Sequence, residues 1–192
     1  TVRKVMKMLD EEGYVRTVKG QPSIVTYQAS PETYAGFLVQ GRDEIADAYK
    51  GLELLMPIFY REGARRCRAP ELRLLHGLTD RISDHMEHEE LYRQAHAFYA
   101  VLLRPLNNQL IMDLEVDSEH FLYTPYIPLP GTKNPFTLTA ARLKNWMYDA
   151  VCQIEHRQFD DFYNKIVNDY RESAKRVDGY LHSLSRHIPA PP

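Results

Sequence analysis

Arg3, Lys4 and Lys7 sit among apolar residues, Val2, Val5, Met6 and Leu9, that recur at i, i+3, i+4 and i+7. On a helix the three cations fall off that apolar stripe and face outward. A guanidinium in the first turn of such a helix reaches guanine O6 and N7 in a major groove, and lysines one turn apart reach base edges or phosphates. The ordinary alternative is a solvated helix face. Histidine supplies the second group. His96 and His156 each fall on a predicted helix, and His182 falls on the last one. Neutral imidazoles converging from three helices could hold zinc, nickel or manganese, with a carboxylate or water completing the shell. The same residues serve equally well as core or surface histidines. His85 and His88, in the acid-rich run DHMEH, are expected to face solvent.

These residues need elements to position them. The apolar stripe predicts a helix that Gly13 stops at a left-handed cap. Residues 14–18 (YVRTV) and 23–27 (SIVTY) are β-branched and aromatic, and 19–22 (KGQP) between them makes a turn. A helix followed by a hairpin with Lys19 and Gly20 at its tip is a helix with a wing. Residues 29–42 read as a linker in which Ser30 caps a short helix starting at Pro31.

Everything beyond this is helical in pattern. The spacing predicts helices over 43–66, 70–86, 87–103, 107 to about 122, 138–157 and 159–186. The first carries Ile45, Tyr49, Leu52, Leu55, Met56 and Phe59 on one side, with Pro57 inside it as an expected bend. Several of the tyrosines, Tyr60, Tyr99, Tyr148 and Tyr163, fall on apolar faces, where they are expected to be core residues whose hydroxyls find partners. Residues 123–136 hold four prolines and Gly131, a long loop of the kind that forms lids. The fold class is therefore mostly α: a helix plus β-hairpin, which the family resemblance of their motifs implies to be the C-terminal part of a winged helix with its recognition helix, then an all-α antiparallel bundle. Residues 1–28 form the first unit, 43–188 the second, and 189–192 a tail.

Residues 1–15 (TVRKVMKMLDEEGYV) resemble the recognition helix of the GntR family of transcriptional regulators, usually T-V-R, then L-x-x-E-G and an aliphatic residue. Residues 18–25 (VKGQPSIV) are similar to that family's glycine-tipped wing. The bundle resembles the FCD or FadR-type domain through three short motifs. Residues 50–57 (KGLELLMP) parallel its first helix, His96 with Leu106, Asn107 and Asn108 parallels its F-H…N-P boundary, and Glu155-His156 with Leu181-His182 parallels its closing helices. Two positions depart from the metal-holding branch. Tyr92 stands where that branch has an aspartate, and the span from His156 to His182 is longer by about one helical turn. Both lean towards the FadR branch, which binds its effector without a metal.

The resemblance implies a dimer that binds a palindromic double-stranded DNA operator and senses a small organic acid or an acyl thioester, with a repressor as the expected sense. It implies DNA contacts by Thr1, Arg3, Lys4, Lys7, Arg16, Lys19 and Gly20. It implies effector contacts by Lys50, Tyr92, His96, Asn107, His156 and His182, with His96, His156 and His182 as ligands if a divalent metal is present. Lys50, where the family has arginine, offers a point charge without a bidentate fork. No cofactor is required by this reading, and no catalytic residue is assigned. The chain opens directly into a helical pattern, so further helices of the DNA-binding unit are expected upstream.

Composition fits this picture. The 192 residues are 44% hydrophobic and 26% charged, which is globular and not disordered. In residues 1–28, five basic residues against three acidic ones make a head of +2, leaving −4 for the rest. A basic head on an acidic body fits a polyanion partner. Cys67 and Cys152 lack metal-site spacing, and no run reaches the roughly eighteen apolar residues of a membrane span. A cytoplasmic protein with no membrane partner is expected. A histidine-metal enzyme in a helical bundle is the alternative of another class, and it lacks H-E-x-x-H, paired E-x-x-H and any nucleophile motif. A purely structural helical interaction module is the third reading.

Overall fold

The computed structural model describes residues 2–11, 15–16, 24–25, 31–123 and 138–186. Helix α1 (Val2–Glu11) is followed by β1 (Val15–Arg16) and β2 (Ile24–Val25). The two strands pair antiparallel, Val15 opposite Val25 and Arg16 opposite Ile24. Seven further helices follow: α2 (Pro31–Gln40), α3 (Arg42–Arg66), α4 (Ala69–Arg81), α5 (His88–Leu103), α6 (Gln109–Tyr123), α7 (Ala140–Glu155) and α8 (Phe159–Ser185). A 3-10 turn, Arg104–Leu106, joins α5 to α6. The structure is thus mostly helical, and no described helix is long and apolar enough to cross a membrane. The expected loop over 123–136 lies outside the described residues, apart from the last residue of α6.

Local chemistry starts and stops these helices. Glu71 accepts from the backbone N–H of Arg68 at 2.9 Å and Glu90 from that of Glu87 at 3.2 Å, each carboxylate turning back over the open first turn of its own helix. Thr139 caps α7 by accepting from Arg142 N–H. Asn107 at φ 48° and Arg157 at φ 59° make the left-handed turns into α6 and α8. Asparagine takes that conformation readily; arginine does so at a cost. Helix α4 stops at Arg81, five residues short of the predicted end, because Ile82 turns extended and enters the core. Pro57 lies buried inside α3, which continues through it.

The bundle is organised on α3 and α8, which run antiparallel. Three ion pairs mark that seam, Arg42–Asp178 at 2.7 Å, Glu53–Arg171 at 2.6 Å and Arg61–Asp160 at 3.2 Å. Each is exposed and worth at most about 1 kcal/mol, so they fix register more than stability. Beneath them Met56, Tyr60, Leu75, Phe98, Met147 and Phe162 form the main core. A smaller core, Leu38, Ile45, Tyr49, Val177, Tyr180 and Leu184, packs α2 onto the start of α3 and the end of α8. Helix α2, within the segment read as a linker with a short helix from Pro31, packs on this core through Leu38. Leu55, expected on the apolar face of α3, is exposed at its margin.

Candidate functional site

Glu115 lies in α6 and is only 4% exposed. It stands four residues after Ile111 and three after Met112, both packed on the core, so the helical repeat carries its carboxyl group inward. A buried carboxyl group must be partnered. The Tyr60 hydroxyl, from α3, donates to Glu115 Oε2, and His96 Nδ1, from α5, stands 3.8 Å from Oε1. Burial, followed by nearby Tyr170 and Glu115, holds the Tyr60 hydroxyl well above the usual phenol range, so it remains a donor. The Tyr99 ring lies 4.6 Å from that of Tyr60, and Trp146 lies 5.6 Å beyond Tyr99. The Trp146 indole N–H donates to Asp169 on α8. Burial pushes the Asp169 carboxyl group up, against the opposing pull of Trp146 and Lys165.

Of the residues implied as effector contacts, His96 faces this cluster. His156 ends α7 exposed, donating from Nδ1 to the Cys152 carbonyl at 2.8 Å. His182 is exposed because the inward stripe of that part of α8 is Val177, Tyr180, Leu181 and Leu184. The three histidines expected to converge are thus kept apart. Tyr92 is half-buried, with the His88 ring edge-on at 4.6 Å, so His88 is packed against a neighbour while His85 faces solvent. No group of three His, Cys, Asp or Glu able to hold a metal stands among the described residues. With a phenol at position 92 and two of the three histidines turned outward, this set does not fit a bound divalent metal.

Lys50 and Asn107 are also placed away from the cluster. Tyr49 takes the inward position on α3, leaving Lys50 exposed and paired with Asp47 at 2.9 Å. That hydrogen bond and the Asp47 charge raise the Lys50 pKa. Asn107, exposed, closes the 3-10 turn by donating its N–H to the Arg104 carbonyl. It lies instead on the rim of a cleft of about 600 Å³ between α4, α5 and the start of α6. Leu78, Val101 and Met112 make the floor of this cleft, and Arg81, Arg104 and Asn108 its polar side.

At the other end of the chain, Lys4 and Lys7 are exposed on α1, and Arg16 is exposed on β1. Lys7 pairs with Glu11 at 3.4 Å. Arg3 falls in the first turn of α1. Val5, 54% exposed, and Met8 leave apolar surface of α1 uncovered. Thr1, Lys19 and Gly20 lie outside the described residues.

Sequence reasoning missed Glu115, Arg81 and Arg104. For Glu115 the signal was its position, an acid at i+4 and i+3 from two apolar residues. Nothing in sequence marked the arginines, because their shared cleft is made by three separate helices. Compared with known proteins, the chain matches no family model and no curated protein.

Proposed function

We propose that the chain is an effector-responsive transcriptional regulator of the GntR type, acting in the cytoplasm as a dimer on palindromic DNA, in the sense of a repressor. The observation that carries this reading is the order of elements at the head. A helix with Lys4 and Lys7 exposed leads into an antiparallel ribbon carrying Arg16, and α2 then docks on a helical bundle. In this reading α1 enters the major groove with Arg3 reading bases, and the ribbon lies on the backbone or minor groove as a wing.

The bundle supplies dimerisation and sensing. Leu54, Leu55 and Ile58 stand exposed together on the outer side of α3, an apolar patch of the kind that a second copy covers. The effector is an organic acid or acyl compound that favours one arrangement of the two heads over the other, which couples the sites without any chemical step. Binding of the full-length protein to DNA upstream of its own gene, measured across salt concentration, tests the reading. Retention on palindromic DNA at low salt supports it; absence of binding at every salt concentration defeats it.

A further inference from the structure

The cluster around Glu115 limits where an anionic ligand can go. His96 and Tyr60 already face a carboxyl group of the chain itself. A second carboxylate placed there would compete with Glu115 for the same donors.

The cleft between α4, α5 and α6 has the opposite character. Arg81, in the last turn of α4, and Arg104, at the start of the 3-10 turn, line it, and among the described residues no acidic one does. Neither guanidinium has an ion-pair partner among the described residues. The amides beside them are engaged: Asn108 Oδ1 accepts from Ile111 N–H at 3.3 Å, and Gln109 donates to Asp113 at 2.8 Å. The two arginines are the cations that line the cleft, and the guanidinium fork matches a carboxylate bidentately. Below them the floor of Leu78, Val101 and Met112 is apolar. A volume of about 600 Å³ falls within the usual range for small-molecule sites.

The geometry points to this cleft as the site of an amphipathic carboxylate, its alkyl chain on Leu78, Val101 and Met112 and its head on Arg81 and Arg104. The ligand's role as effector rests on the regulator reading; its binding does not. The thioester of such an acid lacks the carboxylate that the two guanidinium groups would hold, so the free acid is the form this proposal names.

Calorimetric titration of the whole chain with sodium decanoate tests this. Saturable one-site binding is expected, weakened about tenfold or more in the Arg81→Gln/Arg104→Gln double variant. Decanol, with the tail and no charge, and inorganic phosphate, with charge and no tail, are expected to bind far more weakly than decanoate. Ala100→Trp, which fills the cleft and keeps both arginines, is expected to abolish binding, with unliganded melting temperatures establishing that each variant is folded. The inference is overturned by absence of decanoate binding to the wild type, by equal binding of decanol, or by binding that survives both the double variant and Ala100→Trp. DNA binding measured without decanoate judges the regulator reading separately. Decanoate bound in the cleft with operator affinity unchanged would remove the effector role and leave the site.

Discussion

The hydroxyl of Tyr60 and the carboxyl group of Glu115, 55 residues apart in sequence, are joined by a hydrogen bond in the interior of the bundle. The bond ties α6 to α3, and it gives a buried acid the donor that its burial demands. It also means that the polar centre of the bundle is furnished by the chain itself.

Tyr60→Phe removes the donor and keeps the ring that stacks on Tyr99. The cost expected is about 1 to 3 kcal/mol, that of leaving a buried acceptor short of a partner. Urea denaturation reads it as a lower midpoint at unchanged slope. Glu115→Gln, which still accepts from Tyr60, is expected to cost less. An undisturbed midpoint in Tyr60→Phe would mean that the hydrogen bond contributes nothing.

Gly63 is required by backbone approach. A Cβ there would stand 1.9 Å from the Leu102 carbonyl oxygen, where α3 crosses α5. Alanine gains up to about 1 kcal/mol in helix propensity, but the atom it meets is backbone and cannot rotate away. Gly63→Ala is therefore expected to destabilise by about 1 to 3 kcal/mol. Thermal unfolding at equal or higher midpoint would contradict the close approach.

Asp169 gives a pH dependence with a definite sign. Burial holds its carboxyl group up in the folded chain, with Glu172 adding to the rise and Trp146, Lys165 and Arg142 opposing it. The unfolded chain then loses the proton first, so stability falls as pH rises from the ordinary value of 3.8 through the raised one. Asp169→Asn keeps an acceptor for Trp146 and removes the titration. The melting temperature of the variant relative to wild type should rise between pH 3 and pH 7. A difference that is flat or falls with pH would refute the assignment.

The outer face of α3 leads to a prediction about assembly. Leu54 is 69% exposed, and Leu55 and Ile58 are each 46% exposed. If a second copy covers this patch, Leu54→Glu/Ile58→Glu should turn a dimer into a monomer in analytical ultracentrifugation, with helical circular dichroism retained. A variant that sediments as the wild type does would place any interface elsewhere.

Helix boundaries were largely legible because they are written in short-range periodicity and caps. Residues 43–66 and 159–186 come within a residue of α3 and α8, since Ile45, Tyr49, Leu52 and Met56, and likewise Val177, Leu181 and Leu184, repeat with the helix. The end of α4 was not legible, because Ile82 fits the helical repeat yet serves the core from an extended residue. Of the residues singled out in sequence, His96 falls at the buried cluster and Asn107 on the rim of the cleft. His156 and His182 matched short motifs, but which way each faces depends on a turn at Arg157 and on the inward stripe of α8. Glu115 and the cleft arginines acquire meaning only when α3, α4, α5 and α6 are packed together, a long-range fact with no local signature.

The most direct measurement is the affinity of the full-length protein for palindromic DNA upstream of its own gene, taken across salt concentration, for wild type and for Lys4→Gln/Lys7→Gln. Log affinity is expected to fall linearly with log salt, and the double variant should bind more weakly with a slope smaller by about 2, one for each phosphate that a lysine no longer neutralises. Wild-type protein that binds no DNA at low salt, or a double variant with unchanged affinity and slope, would contradict α1 as the DNA-reading helix.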